Sequence, residues 1–273
     1  MQKISGQEIS ESIINHLKAF KLPKKIFAVF LVGEDPISVN FIKQKEEACG
    51  RLGIDFRLYS FSESKTNDEL RREIGDIVKQ SSVGGAVIQL PLPRKVNKQY
   101  VLNVLPKEKD LDVLGERALG AFYAGRSLVL PPAVGVIERL VEEYKINLEV
   151  SNVVVVGLGS LIGKPISVWL MGKVKILNLV DSRGDIDIIR SADLIISGAG
   201  KASIIDPGIL RKGASVIDFG YDYLDGKLRG DLDISDPSRL KHLNAYTPTP
   251  GGTGPILVAK LLENFYKLND EIL

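Results

Sequence analysis

Short apolar runs alternate with helical patterns along most of the chain. Runs rich in Val, Ile, Leu and Phe predict buried strands at Ile26–Val32, 85–90, Asn152–Val156, 174–180, 192–197 and 214–218. Apolar positions with helical spacing predict helices over Pro36–Leu52, 135–144, 161–171 and 254–267. Strands that alternate with helices form parallel sheets covered by helices on both faces, so we predict an α/β fold.

The same alternation occurs before and after about residue 120, which predicts two domains in the 273-residue chain. Residues 115–132 have no clear period and contain several Gly and Pro, so we expect the chain to cross between domains there. We therefore assign residues 1–120 to a first α/β domain and residues 121–253 to a Rossmann-type domain. Residues 254–273 are expected to pack back on the first domain, with a ligand-binding cleft between the two.

Composition restricts the classes of function. The chain has 44% hydrophobic and 26% charged residues, which is typical of globular proteins. Its 36 Lys and Arg nearly balance 34 Asp and Glu, so charge gives no indication of a nucleic-acid partner. The single Cys49 excludes an internal disulfide framework, and His16 and His242 lack metal-ligand spacing. We expect a cytoplasmic protein with no membrane partner and no metal.

A glycine turn after the strand Asn152–Val156 is the strongest mechanistic signal. Gly157, Gly159 and Gly163 form the pattern G-x-G-x-x-x-G, one residue longer than the common dinucleotide fingerprint. Gly157 allows the tight turn, Gly159 lets the backbone approach a pyrophosphate, and Gly163 lets the helix pack on the strand. The N-terminus of the following helix offers N–H groups and a positive dipole end to phosphates.

The next strand ends at Asp181, at about the distance where an acidic residue binds the ribose hydroxyls of NAD. A carboxylate at this position repels the additional phosphate of NADP, although Arg183 offsets that repulsion. The pattern therefore favours NAD and leaves NADP open. The alternative interpretation is a turn-forming glycine cluster followed by a solvated aspartate.

Candidate catalytic residues lie in the first domain. On its long helix Phe41 and Lys45 are four residues apart and share a face. Gln89 ends a predicted strand, and Asp110 and Asp112 follow in the segment PKEKDLD. Active sites of α/β proteins form at the carboxyl ends of parallel strands, so Lys45, Gln89 and Asp112 are expected to meet there. Taken singly, each is also explained as a surface or turn residue.

Together these segments resemble the bifunctional methylenetetrahydrofolate dehydrogenase/methenyltetrahydrofolate cyclohydrolase family. The matching stretches are GEDPISVNFIKQKEEACGRLGI, IQLPLP, PKEKDLD, VVVVGLGSLIGKPIS, SADLIISGAGK, KGASVIDFG, GDLD and TPTPGGTGP. They follow the family's order from about residue 4 to residue 266, and the pairing of QLPLP with TPTPGGTGP is highly specific. The resemblance implies a folate-binding catalytic first domain, a folate cleft between the domains and a homodimer formed through the cofactor domains.

The resemblance also implies two reactions, oxidation of methylenetetrahydrofolate by NAD(P) and hydrolysis of the methenyl form to formyltetrahydrofolate. The lysine that is central to hydrolysis matches Lys45, the glutamine that orients it matches Gln89, and the aspartate that holds the pterin matches Asp112. Further substrate-binding positions match Phe41, Pro250, Gly251 and Gly252. The residues expected to bind the cofactor are Gly157, Leu158, Gly159, Ser160, Gly163, Asp181, Ser182, Arg183 and Tyr221.

The chain departs from the family at several of these positions. Phe41 replaces a tyrosine, which keeps the ring but removes a hydroxyl and puts the hydrolysis rate in doubt. Val113 replaces a glycine, and residues 130–133 are Leu-Pro-Pro-Ala in place of Pro-Cys-Thr-Pro. Leu158 stands where the family has the Arg of an Arg-Ser pair, and Asp181 stands where it has His. The family norm is NADP, and these last two changes favour NAD.

Three alternatives remain at this stage. The first is a monofunctional NAD-dependent methylenetetrahydrofolate dehydrogenase, which Phe41 and Asp181 favour and the retained Lys45 and Gln89 oppose. The second is a non-catalytic folate- or dinucleotide-binding protein, suggested by the altered residues 130–133. The third is another two-domain dehydrogenase, since a fold does not fix a function.

Overall fold

A computed structural model describes residues 1–224 and 226–272. These ranges form, in chain order, β1 (Gln2–Lys3), α1 (Gly6–Leu17), β2 (Ile26–Val32), α2 (Pro36–Leu52), β3 (Asp55–Phe61), α3 (Asn67–Val78), β4 (Val83–Ile88), α4 (Lys98–Leu102), α5 (Glu116–Tyr123), α6 (Pro132–Glu143), β5 (Asn152–Val156), α7 (Gly163–Leu170), β6 (Ile176–Val180), β7 (Leu194–Ser197), β8 (Ser215–Asp218), β9 (Asp222–Leu224), β10 (Lys227–Arg229), β11 (Ala245–Tyr246) and α8 (Thr253–Lys267). The predicted bounds of β2, α2 and β5 match the structure, and the other predicted elements shift by a few residues.

The chain divides into two compact units. The three-stranded unit consists of Ser12–Pro132 and the chain from Val258 onward, and the six-stranded unit consists of Met1–Glu11 and Ala133–Leu257. The chain crosses after Pro132, at the end of the stretch 115–132 expected to contain the crossing, and not at the domain boundary drawn at residue 120. No periodic element is predicted in this stretch, but it contains helix α5. The first residues belong to the six-stranded unit, since β1 pairs with β11.

The three-stranded unit is built on a parallel sheet of strand order β3-β2-β4. Every residue of the central strand β2 is buried, as its unbroken apolar sequence predicts. Helix α2 begins at an N-cap, Asp35, whose carboxylate accepts a hydrogen bond of 2.8 Å from the backbone N–H of Ser38. The last helix contributes Phe265, whose ring centroid lies 5.4 Å from that of Phe27 on β2.

The six-stranded unit contains a parallel sheet of order β1-β11-β8-β7-β5-β6, with β9 and β10 paired as a separate antiparallel hairpin. From β5 the chain passes to β6 on one side and then to β7 on the other, so the strand order reverses at β5. In open α/β sheets ligands bind at the carboxyl ends of the strands beside such a reversal. No helix in the described part of the chain combines the length and apolarity needed to cross a membrane.

Candidate active site

Lys45 and Gln89 form a buried pair in the three-stranded unit. Lys45 lies on α2 and Gln89 follows β4, and both are less than one-tenth exposed. The Nζ of Lys45 donates to the Oε1 of Gln89 over 2.6 Å, and the Nε2 of Gln89 donates to the carbonyl of Leu90 over 2.7 Å. The second bond fixes which end of the amide faces the lysine, so the Gln89 oxygen is held toward Lys45.

Burial changes the charge balance of this pair. Burial lowers the pKa of Lys45, and the nearby Asp112 carboxylate partly opposes that shift. For the same reason burial raises the pKa of Asp112, while the Lys45 ammonium holds it down. A lysine of this kind gives up its proton more readily than a solvated lysine, so it is better suited to act as a base.

Asp112 lies on a turn attached to strand β4. The N–H of Ala86 donates to the carbonyl of Lys109 over 2.7 Å, and the N–H of Leu111 donates to the carbonyl of Ala86 over 3.2 Å. These two bonds form a parallel β-bridge between Asp110 and Ala86 of strand β4, shortly before Asp112 in the chain. The next residue, Val113, has φ +56°, in the left-handed region that glycine favours. The structure thus brings Lys45, Gln89 and Asp112 together, as the sequence predicts.

The other predicted folate-binding residues lie in both units. Phe41 lies on α2, one helical turn before Lys45, and is partly buried. Pro250, Gly251 and Gly252 lie in the six-stranded unit, where the peptide bond before Pro250 is cis and Gly251 has φ +92°. The carbonyl of Gly251 accepts a hydrogen bond of 2.9 Å from the N–H of Gly6, so the N-terminal segment supports this turn.

The glycine turn lies at the carboxyl end of β5, where the strand order reverses. Gly157 has φ +84°, and a Cβ on it would lie 2.6 Å from the backbone nitrogen of Ala199. A Cβ on Gly163 would overlap the carbonyl oxygen of Gly157. A Cβ on Gly159, in contrast, would have no other atom within 4 Å. The backbone is therefore closely packed at Gly157 and Gly163 and open at Gly159.

Helix α7 begins directly after this turn. Its N-cap residue, Ile162, provides no side-chain hydrogen bond to the first turn, and the N–H of Lys164 donates to the carbonyl of Gly159 over 3.0 Å. Helix N-terminal amides and the helix dipole attract phosphate groups. Leu158 and Ser160 lie in the same turn. These residues fit a dinucleotide pyrophosphate, because the backbone is open at Gly159, just before the helix end whose dipole attracts anions.

Asp181 and Arg183 pair at the end of β6. The Asp181 carboxylate accepts one bond of 2.9 Å from the backbone N–H of Arg183 and forms a 3.0 Å ion pair with its guanidinium. These bonds lower the pKa of Asp181, so its carboxylate is ionised near neutral pH. Ser182 lies between them. Tyr221 follows β8, and its ring packs edge-on against Tyr223 with centroids 6.0 Å apart.

Two buried aspartates that sequence reasoning did not select hold the loops beside the glycine turn. Asp231 accepts bonds from the hydroxyl of Ser197 over 2.5 Å and from the backbone N–H groups of Ala199 and Lys201 over 2.7 and 2.8 Å. Asp218 accepts a bond of 2.9 Å from the N–H of Leu232, and burial raises its pKa to about 7. The motifs SGAGK and GDLD contain these partners, but only the fold brings the two motifs together.

Fold and site together define a two-domain α/β protein with a buried lysine–glutamine pair in one unit and a Rossmann-type dinucleotide turn in the other. The catalytic-domain model of tetrahydrofolate dehydrogenase/cyclohydrolase matches residues 3–112, and its NAD(P)-binding-domain model matches residues 131–272. The chain belongs to the tetrahydrofolate dehydrogenase/cyclohydrolase family, and its cofactor is a nicotinamide dinucleotide.

Individual relatives match along nearly the whole chain. The bifunctional protein FolD of Nautilia profundicola is 34% identical, covering 98% of this chain and 96% of that protein. FolD of Helicobacter pylori is 32% identical, covering 96% and 93%. The crystal structure of the bifunctional FolD dehydrogenase/cyclohydrolase from Campylobacter jejuni superposes with a TM-score of 0.93 at 30% identity and covers all of both chains.

Proposed function

We infer that the chain oxidises methylenetetrahydrofolate to the methenyl form with a nicotinamide dinucleotide and hydrolyses the methenyl form to formyltetrahydrofolate. The observation that carries this inference is the buried bond between Lys45 and Gln89, with the Asp112 carboxylate beside it. The whole-chain similarity to bifunctional FolD proteins supports the same pair of reactions. Both reactions belong to one-carbon metabolism.

Hydrolysis uses the unusual state of Lys45. The bound methenyl group is cationic, so a charged lysine repels it and a neutral lysine does not. Water adds to the methenyl carbon while Lys45 accepts a proton from it. A C–N bond of the resulting hydroxyl adduct then breaks, as the adduct's hydroxyl loses its proton to become the formyl carbonyl and the departing nitrogen takes up a proton. The oxygen of Gln89 holds the lysine in place, and Asp112 accepts the adjacent N–H donors of the pterin edge.

Oxidation needs positioning more than acid–base chemistry. The bound nicotinamide supplies the hydride acceptor. The glycine turn at Gly157 and Gly159 and the first turn of α7 would hold the pyrophosphate of the cofactor. Hydride transfer itself requires that the acceptor and the substrate carbon be held at short range. Gly163 keeps the helix against the strand, since any side chain there would overlap the turn.

The preferred dinucleotide is NAD. Asp181 is ionised, and the Arg183 guanidinium is already paired with it. The 2′-phosphate of NADP would be repelled by the Asp181 carboxylate, and the nearest cation, Arg183, is already paired with that carboxylate. The two ribose hydroxyls of NAD, in contrast, can donate hydrogen bonds to Asp181. Leu158 also lacks the positive charge that the family usually has there. NADP remains the competing cofactor, because Arg183 is largely exposed and able to turn outward.

Phe41 favours a weakened hydrolase. It lies one helical turn from Lys45 and has no hydroxyl to donate to the lysine or to the attacking water. The second candidate function is therefore a monofunctional NAD-dependent dehydrogenase. Retention of the Lys45–Gln89 bond favours the bifunctional enzyme over this candidate.

The six-stranded unit also supports a homodimer. Strand β6 is an edge of the sheet, and its Ile176 and Leu179 are each nearly half exposed. An unpaired edge with exposed apolar side chains is a ready template for pairing with another chain. A two-fold axis lets β6 of a second copy pair with it in the antiparallel direction. The cytoplasmic location stays a prediction.

The deciding experiment measures initial rates with methylenetetrahydrofolate and either NAD or NADP, with reduced-nicotinamide and methenyl absorbance followed together. We expect faster reduction of NAD and decay of the methenyl form above the buffer rate. Lys45→Met should slow that decay about 10²-fold or more, because it removes the base. The control is Lys43→Met, an exposed lysine on the same helix. If natural protein reduces neither dinucleotide, the proposed function is wrong, and if the methenyl form also decays only at the buffer rate, the result favours a non-catalytic binding protein.

A further inference from the structure

Asp110 is a buried carboxyl group that the reactions described above do not use. It is about 1% exposed and lies in the short segment that pairs with β4 at Ala86. Its Oδ2 accepts hydrogen bonds from the backbone N–H groups of Leu114 and Gly115, over 2.9 and 2.7 Å. Its Oδ1 is buried without a hydrogen-bond partner among the described residues. Burying an aspartate costs free energy, so its hydrogen bonds to the backbone must stabilise the local structure enough to offset that cost.

The two N–H groups that Asp110 binds lie on the far side of Asp112. The backbone thus leaves Asp110, passes through Asp112 and Val113, and returns to the Asp110 carboxylate at Leu114 and Gly115. The carboxylate therefore closes a loop whose outer part carries Asp112. Both ends of that loop are fixed, because the segment before it is hydrogen bonded to β4.

Val113 makes this closure necessary. Its φ of +56° is one that β-branched residues rarely adopt, so the isolated segment would relax to an extended or helical conformation. Its side chain is buried in a small cluster with Ala118 and Val129, which opposes that relaxation from one side. The bonds to Asp110 oppose it from the other, at the two residues that follow Val113.

A second contact holds the start of the same loop. Asn264 on α8 donates from Nδ2 to the carbonyl of Leu111 over 2.9 Å and to the carbonyl of Leu130 over 2.8 Å. The carbonyl of Leu111 directly precedes Asp112. The backbone is thus held before Asp112 by Asn264 and after Asp112 by the bonds to Asp110. Of these two contacts, only the bonds to Asp110 span Val113, the residue with the left-handed φ.

We propose that Asp110 is a positioning residue for folate binding: by closing the left-handed turn at Val113, it sets the direction in which Asp112 presents its carboxylate. This proposal rests on the proposed function, in which Asp112 binds the pterin. Asp110 itself does not touch substrate, because its bonded oxygen is directed at the backbone of its own turn. Loss of the Asp110 carboxylate is therefore expected to lower the affinity for substrate more than the rate of the chemical step.

The test compares Asp110→Ala, Asp110→Asn, Val113→Gly and the double variant Asp110→Ala/Val113→Gly in the full chain. The readouts are the KM for methylenetetrahydrofolate, the KM for the dinucleotide, and the calorimetric Kd for tetrahydrofolate. Asp110→Ala should raise the folate KM and Kd about 10-fold or more, because two charge-assisted bonds are lost. The dinucleotide KM should stay within about twofold.

Two comparisons separate positioning from general stability. Asp110→Asn should stay within about threefold of the natural folate Kd, because the amide oxygen accepts the same two N–H bonds. When Val113→Gly is already present, Asp110→Ala should cost at least about threefold less affinity, since glycine needs no help to adopt a positive φ. Asn97→Ala is the matched control: it removes the N-cap bond of α4 in the same unit and should leave the folate Kd unchanged.

The proposal is overturned if Asp110→Ala leaves the folate Kd within about twofold, or if it raises the folate and dinucleotide constants equally. It is also overturned if Asp110→Asn is as harmful as Asp110→Ala, or if Val113→Gly gives no rescue. Should natural protein bind tetrahydrofolate but catalyse nothing, the proposed function fails while the Kd comparisons still decide the role of Asp110. Should it bind no folate at all, both fail.

Discussion

Lys45 depends on its neighbours more than any other residue of the site. Its bond to Gln89 gives it one fixed partner, and burial lowers its pKa against the opposing charge of Asp112. A small change in either neighbour therefore shifts the balance between a charged lysine that repels a cationic substrate and a neutral lysine that serves as a base. Phe41, one turn away on the same helix, is where the chain has changed this environment.

Phe41→Tyr tests whether the missing hydroxyl limits hydrolysis. We expect the variant to hydrolyse the methenyl substrate faster, by about 10²-fold if the hydroxyl takes part in proton transfer and by less if it only orients Lys45 or water. Hydride transfer should change little, because it needs no proton relay. Decay of methenyl absorbance gives the first rate, and reduced-nicotinamide absorbance gives the second. An unchanged hydrolysis rate would contradict the role assigned to residue 41.

Asp110 also gives a prediction for stability against pH. Burial raises its pKa from the ordinary value of 3.8 to about 6, with the Asp112 carboxylate adding to the shift and the N–H groups of Gly115 and Leu114 opposing it. Since the folded state holds this proton more tightly than the unfolded state, the resulting stabilisation is complete below about pH 4 and disappears as the pH rises through about 6. An asparagine carries no charge to bury at any of these pH values.

Asp110→Asn should therefore gain stability relative to natural protein between about pH 4 and about pH 7, by about 2–3 kcal/mol. Urea unfolding at three pH values across that interval measures the difference in the free energy of unfolding. Asp55→Asn is a suitable control, since Asp55 is exposed and pairs with Arg57. A difference that is the same at all three pH values would show that the Asp110 charge is not what burial opposes.

At the scale of elements, two substitutions in the turn between β5 and α7 distinguish an effect on stability from an effect on cofactor binding. Gly163→Ala places a methyl group against the carbonyl of Gly157, so we expect it to lower the free energy of unfolding by about 1–3 kcal/mol. Gly159→Ala meets open space in the structure, so we expect little change in unfolding. It should nevertheless raise the dinucleotide KM about 10-fold, because the methyl group would occupy the place proposed for the pyrophosphate. Paired unfolding and KM measurements distinguish the two effects.

Elements that carry a local sequence signal could be predicted from the sequence. Elements that are defined only by contacts with residues distant in the chain could not. The bounds of β2, α2 and β5 follow from an apolar run or an N-cap, which are local signals. Strands β1 and β11 have two residues each, and only pairing with strands that are distant in sequence defines them. Helix α5 lies in a stretch whose Gly and Pro content predicts a crossing segment.

The site divides in the same way. Lys45, Gln89 and Asp112 could be selected because they lie where the first sheet ends and match a family pattern. The structural roles of Asp110, Asp218 and Asp231 could not, because each carboxylate binds backbone N–H groups, and a backbone N–H has no sequence signature. The left-handed φ of Val113 is not expected from valine itself, although the glycine that the family usually has at this position is a signal for it.

At the scale of the whole molecule, the exposed edge of β6 predicts self-association. Leu179→Lys places a charge on this edge, so we expect it to shift the protein from dimer to monomer in sedimentation at low salt. Leu128→Lys is the control, since Leu128 is 76% exposed and lies in the three-stranded unit. A dimer that persists in the β6 variant, or a monomeric natural protein, would exclude this interface.

The pairing of β1 with β11 has a consequence for how the protein is made. Strand β1 leaves the ribosome early, but its partner, Ala245–Tyr246, is synthesised only after most of the chain. Gly6, which donates to the carbonyl of Gly251, must wait equally long. The turn at Pro250–Gly252 therefore acquires its support only after the segments around Gly6 and Gly251 have both been translated. A nascent chain arrested shortly before β11 would contain Lys45, the proposed base, but would lack the turn proposed to line the folate site, so translation order itself delays the proposed activity until β11 and this turn have been synthesised.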